Sequence, residues 1–162
     1  MKLLSNRFEE VKKETKKYFD SIDKVYCPYL KTDVHFNREG FEHLLTKTWN
    51  RGRSIEDQYI RLRLLPKVVS IIKLSQTLQE YDERNMLVRQ KTNSKWKKKM
   101  KRVCYYVFVC ILIEHNIRFK IVIKQIVGSN PVFWSVYPSW KIFKDTNGNV
   151  IKKFYSGNLE ND

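Results

Sequence analysis

Two runs in the second half of the chain put cations, a hydroxyl and aromatic rings at alternating positions: Arg118-Phe119-Lys120-Ile121-Val122-Ile123-Lys124 and Phe133-Trp134-Ser135-Val136-Tyr137. Alternation is the period of a β-strand, and the intervening Gly128-Ser129-Asn130-Pro131 reads as a turn. If 128–131 form the loop and Val127 faces Val132, Lys124 lies opposite Ser135, Ile123 opposite Val136 and Val122 opposite Tyr137. Arg118, Lys120, Lys124, Ser135 and Tyr137, with Phe133, then share one face, while Ile121 and Ile123 pack under helices. A loop of odd length would overturn that assignment, because a slip of one residue turns every side chain over. Cations beside rings suit single-stranded RNA: the cations hold phosphates and the rings stack on unpaired bases. A hydroxyl and a lysine next to a bound phosphate could also stabilise a developing phosphorane. The competing reading is that the lysines decorate a solvent face while Phe133 and Tyr137 cover a small second core.

His43 is the second candidate. It does not line up with the Phe41/Leu44/Leu45 stripe of its helix, which predicts partial exposure. Histidine is the usual base for activating a 2′-hydroxyl, since its unperturbed pKa lies near working pH, although a lone histidine is more often structural or solvated. His35, between Val34 and Phe36, is a comparable candidate, and His115 a weaker one. Arg51, Arg53, Arg61 and Arg63 cluster along one stretch, where one or two could clamp a scissile phosphate bidentately. They could equally pair with Glu56 and Asp57 on the surface. Lys95-Trp96-Lys97-Lys98-Lys99-Met100-Lys101-Arg102 is the densest charge in the chain. It reads as a mobile loop that steers polyanions, with Trp96 available for stacking and Lys97 and Lys98 for phosphate, or simply as a solvated hairpin loop.

The composition favours the same partner class. Lysine and arginine total 32 against 17 acidic residues, a formal charge of +15 on 162 residues. Such charge repels itself and is most easily understood if a polyanion neutralises it. A lysine-rich coding bias and the need for solubility are the bland alternatives. Aromatic residues make up 14%, enough to build a core from few, large side chains. The first residues, Met1-Lys2-Leu3-Leu4-Ser5-Asn6-Arg7, contain no apolar stretch of signal-peptide type. The longest apolar run, Val103–Ile113, is about half the ~20 residues a membrane-spanning helix needs. Cys27, Cys104 and Cys110 form no CxxC pair, and the histidines show no metal-ligand spacing. The expectation is a cytoplasmic protein in a reducing compartment, with no structural zinc, no cofactor and no membrane partner.

The elements that must position these residues follow from periodicity. Leu4, Phe8, Val11, Tyr18 and Phe19 outline an amphipathic helix over 3–19, weakened at Thr15. Pro28 breaks the chain, and Asp33–Phe36 reads as a short strand. Asn37 caps a helix from Arg38 to about Trp49, with Phe41, Leu44, Leu45 and Trp49 inward. Ser54 caps the next, with Glu56 and Asp57 in its first turn, and Pro66 divides it into two helices. A strand within 81–90, a basic loop at 91–102 and three strands at 103–113, 118–127 and 132–138 complete the core. Asn147-Gly148 signals a further hairpin, after which 157–162 should fray. Helices followed by consecutive strands indicate an α+β fold on an antiparallel sheet.

The order of Asp33–Leu45, Arg61-Leu62-Arg63-Leu64-Leu65-Pro66, Phe119–Gln125 and Phe133-Trp134-Ser135-Val136 resembles the barnase–EndoU–colicin–RelE-like nuclease superfamily, particularly its phage- and mobile-element-associated branch. The resemblance covers roughly residues 33 to 140, flanked by a helical extension at 1–32 and a hairpin with a frayed tail at 141–162. It implies an α+β fold with N-terminal helices on a four-stranded or slightly larger antiparallel sheet. It also implies metal-independent RNA cleavage by 2′-hydroxyl attack. On that resemblance the matching catalytic positions are His43, Arg61 or Arg63, Lys124 and Ser135, with Arg61 the first choice of the two arginines. Arg63, Arg118, Lys120, Phe133, Tyr137, Trp96, Lys97 and Lys98 would hold the substrate, and an acidic antitoxin or immunity protein could restrain it. A non-catalytic nucleic-acid-binding module and a protein-binding inhibitor on the same fold are the alternatives.

Overall fold

The computed structural model describes residues 2–48 and 50–162, with side chains apart from those of 2–5, 141–144 and 153–154. Trp49, expected inward on the second helix, lies outside the described residues. Helix α1 (Lys2–Ser21) precedes strands β1 (Lys24–Cys27) and β2 (Thr32–His35). Helix α2 (Arg38–Leu45), a small β3–β4 pair (Thr46–Thr48 and Arg51–Gly52) and helix α3 (Ile55–Leu74) follow. Then come β5 (Glu80–Thr92), β6 (Lys95–Leu112), a 3-10 turn at Ile113–His115, β7 (Ile117–Ile126) and β8 (Val132–Pro138). A hairpin of β9 (Trp140–Lys144) and β10 (Val150–Phe154) precedes the closing segment 155–162. The fold is α+β, as expected, but the sheet has six strands in the order β1-β2-β8-β7-β6-β5 and is mixed, because β2 meets β8 in parallel at His35 and Val132. No helix of the described residues is long and apolar enough to cross a membrane.

Local chemistry accounts for most of these boundaries. Asn37 accepts a hydrogen bond from the Gly40 amide at 3.1 Å, and Ser54 accepts one from the Asp57 amide at 3.2 Å. Thr15 does not interrupt α1: it is buried in the same stripe as Phe8, Val11 and Phe19. Pro66 does not divide α3, which runs unbroken through it. Leu62, Leu64, Leu65, Val68 and Ile72 are buried on both sides of the proline, and that packing outweighs one missing backbone bond.

The helices cover one face of the sheet, where Phe19 meets Phe36, Phe41 and Phe133 at ring separations of 5.5, 5.3 and 6.0 Å. The other face carries a second apolar cluster, Val103, Tyr105, Val107, Val122, Trp134 and Tyr137, closed by Leu159. The 157–162 stretch therefore does not fray: Leu159 and Asp162 are 5% and 6% exposed. All three cysteines are free thiols, Cys27 and Cys104 buried.

Gly40 is the tightest point between α2 and β8. A Cβ there would lie 2.2 Å from the Phe133 carbonyl oxygen, closer than any real contact. Alanine improves helix propensity but must push backbone from backbone. Gly40→Ala is therefore expected to lower the unfolding free energy by roughly 1–3 kcal/mol, read as a lower denaturant midpoint at unchanged slope.

Candidate functional site

The β7–β8 register decides which side chains meet. Phe119 pairs with Pro138, Lys120 with Tyr137, Ile121 with Val136 and Val122 with Ser135; a bulge then shifts the ladder to Ile123–Phe133 and Lys124–Val132. Lys120, Lys124, Ser135 and Tyr137 share a face, as the alternation predicts, although Lys124 does not sit opposite Ser135. Phe133 is a correction. The bulge inserts one residue, so Phe133 joins Ile123 in the helix-covered core while Trp134 turns to the other side.

Beyond Val132, β8 has no strand on its outer edge among the described residues, and α2 and α3 lie along it. His43, Arg53 and Arg61 reach past this edge and meet Lys124, Trp134, Ser135 and the closing segment. His43 was expected to be partly exposed; it is 5% exposed, because 156–162 covers that side of α2. Its ring stacks on Trp134 at 4.2 Å, and its Nε2 lies 2.7 Å from the Glu160 carbonyl oxygen. That contact requires Nε2–H, so Nδ1 carries the lone pair; it is buried without a hydrogen-bond partner among the described residues. Burial, reinforced by Arg53, Arg61 and Lys124, pushes the imidazole pKa down to about 3. The ring is neutral at pH 7.

Arg61, wholly buried, donates through Nε to Asp57 Oδ1 at 3.0 Å and through Nη1 to Ser135 Oγ at 2.7 Å and the Asp162 main-chain oxygen at 3.2 Å. Its guanidinium lies over the rings of Tyr137 and Tyr155, 5.0 and 5.6 Å from their centroids. Arg53 donates to the His43 carbonyl at 3.0 Å and to the main-chain oxygens of Asn161 and Asp162 at 3.1 and 3.0 Å. It sits 3.6 Å from Asp57, and burial beside Arg61 lowers its pKa to about 10. Lys124 pairs with Glu160 at 2.8 Å and lies 3.8 Å over the Trp134 ring. Tyr105 donates to the second Glu160 oxygen, and Trp134 Nε1 donates to the Glu160 carbonyl at 3.2 Å. Arg53, Arg61, Lys124 and Ser135 thus converge on oxygens of 160–162. This is a small chamber lined with hydrogen-bond donors and filled by the chain itself.

The remaining candidates lie elsewhere. Arg63 and Arg118, with Tyr59, Trp140 and Lys152, line a cleft of about 720 Å³ that shares Asp57 and Tyr155 with the chamber. Lys120 is tied to Glu80 at 2.6 Å. Trp96, Lys97 and Lys98 belong not to a loop but to β6, which pairs with β5 out to Thr92–Lys95. The chamber residues missed by sequence reasoning are Arg53 in its buried role, Asp57, Tyr105, Tyr155, Glu160 and Asp162. The spacing of Arg53, Asp57 and Arg61, four residues apart with the last two on one face of α3 and Arg53 just before its cap, is the available signal for the first two. No family model, curated protein or solved structure matches the chain.

Proposed function

We propose that this protein binds RNA and that the chamber cleaves it without a metal, by attack of a 2′-hydroxyl on the adjacent phosphorus. The observation that supports this reading is convergence. His43 on α2, Arg61 on α3, Lys124 on β7 and Ser135 on β8 are far apart in the chain, yet they face one small volume lined with hydrogen-bond donors. In the proposed reaction the phosphate oxygens take the places of the main-chain oxygens of 160–162, held by Arg53 and Arg61. With 156–162 displaced, His43 loses the burial that lowers its pKa and the Glu160 carbonyl that fixes its tautomer. Its Nε2 then removes the 2′-hydroxyl proton, the 2′-oxygen bonds to phosphorus, and the bond to the 5′-oxygen breaks as Lys124 protonates it. The products are a 2′,3′-cyclic phosphate and a free 5′-hydroxyl. Ser135 and the arginines stabilise the intervening phosphorane charge.

Arg61 and Ser135 are 0% exposed, so substrate enters only when 156–162 swings away. Leu159→Ser with Glu160→Gln loosens that segment and releases Lys124 from its carboxylate partner, while substituting none of the proposed catalytic residues. Incubated with total RNA in EDTA, the loosened protein is expected to release cyclic-phosphate ends at least ~10-fold faster than the native chain. His43→Ala in that background should slow it by about 10²–10⁴-fold. A folded, loosened protein that leaves RNA intact would end the cleavage reading. The same burial favours a second reading, a non-catalytic nucleic-acid-binding module. That reading predicts retained RNA affinity with no products from any variant.

A further inference from the structure

Strands β5 and β6 pair over thirteen positions, but β7 joins only from Val103, opposite Ile126. The eight pairs from Asn85–Arg102 to Thr92–Lys95 therefore project as a bare two-stranded ribbon, roughly 25 Å long at ~3.3 Å per residue. Asn93 and Ser94, at φ 48 and 64, form the tight turn whose twist suits a hairpin. The ribbon carries Arg89, Lys91, Lys95, Lys97, Lys98, Lys99, Lys101 and Arg102, and no acidic residue occurs between Glu83 and Glu114. Among the described residues none of these eight cations makes an ion pair.

Register divides them between two faces. Lys95, Lys97, Lys99 and Lys101 share the parity of Val103 and Tyr105, so they stand on the side of the chamber and its closing segment. Opposite them across the ribbon are the uncharged Thr92, Gln90, Val88 and Met86. Arg89, Lys91, Lys98 and Arg102 stand on the other face with Leu87, Trp96 and Met100, each more than 60% exposed. At its inner end the lysine row runs directly into the site: Lys101 faces Met86, whose sulfur lies 3.3 Å from the Tyr105 hydroxyl, and Tyr105 faces Lys124.

We infer that Lys95, Lys97, Lys99 and Lys101 form a track along which an extended single strand of RNA is laid toward the chamber. This rests on the RNA reading above and adds the path and form of the substrate. Alternate residues of one strand are about 6.6–6.8 Å apart, a spacing that serves successive phosphates of an extended chain. The charges form one row, and one row matches one backbone; a duplex presents two. The uncharged companion row leaves room for bases to lie away from the cations.

The test compares two charge-matched variants: Lys95, Lys97, Lys99 and Lys101 to Gln, and Arg89, Lys91, Lys98 and Arg102 to Gln. Fluorescence anisotropy with a labelled oligouridylate, read across a salt series, measures phosphates neutralised, at about 0.7 in the log–log slope for each on a single strand. The track variant is expected to lose about 3 from the slope, and the opposite-face variant less than 1. Equal losses, or a duplex bound as tightly as the oligouridylate, would overturn the track while leaving RNA binding standing. No binding by the native chain would remove both. Matching melting temperatures establish that the substitutions leave the fold intact.

Discussion

Alanine in place of Asp57 is expected to destabilise the protein by about 3–5 kcal/mol, the usual cost of stripping a buried ion pair of one partner. Asp57 is 8% exposed and lies between two buried guanidiniums, bonded to Arg61 at 3.0 Å and 3.6 Å from Arg53. It also accepts from Tyr155 at 3.3 Å. Without its carboxylate, two neighbouring guanidiniums stay buried with the counter-charge between them removed. For a chain of this length the loss corresponds to a fall in melting temperature of roughly 6–20 °C. Calorimetry reads it directly, and a change below 1 kcal/mol would mean that the chamber is wet and its charges solvated. Asp57→Asn retains an acceptor but not the charge and should fall between. Replacing Asp57 and Arg61 together with leucine and methionine should recover part of the loss, since it removes both the charge and its need for a partner.

The second large effect is acid sensitivity originating at His43. An imidazole held near 3 in the folded protein and near 6.5 in the unfolded chain is protonated first by the unfolded chain as pH falls. The folded state binds fewer protons between those values, so stability is complete above about pH 6.5 and declines as pH drops toward 3. The full difference is on the order of 4–5 kcal/mol, of which about 2–3 kcal/mol should be lost between pH 6.5 and 4.5. Denaturation midpoints measured across that window check it. His43→Gln keeps a donor for the Glu160 carbonyl without the titration, and its midpoint should vary much less. Parallel curves for the two proteins would place the acid sensitivity elsewhere.

Features governed by neighbours in sequence are legible in the sequence itself. Asn37 and Ser54 cap the helices they precede, Ile121 and Ile123 point to the helices, and the α+β class follows from the order of periods. The basic stretch 91–102 was misread because charge density resembles a loop, while its pairing with 85–92 depends on the two-residue turn at Asn93-Ser94. Pro66 was given the weight of an isolated proline, whereas buried leucines on either side hold α3 together. His43, Arg61, Lys124 and Ser135 were found as residue types, but their burial was not. It depends on a bond between His43 and Glu160 across 117 positions, and on a bulge between Val122 and Ile123 that no periodicity announces.

β5 is the last strand of the six-stranded sheet, so among the described residues no strand pairs with the backbone amides and carbonyls along its outer side. Such an edge would recruit a second copy by strand addition, the first step of aggregation. Between Asn85 and Thr92 this edge belongs to the acid-free ribbon, so a copy adding there would set its eight ribbon cations beside these eight. Repulsion between identical ribbons therefore protects the molecule from its own edge, and that protection weakens as salt rises or a polyanion neutralises the ribbon.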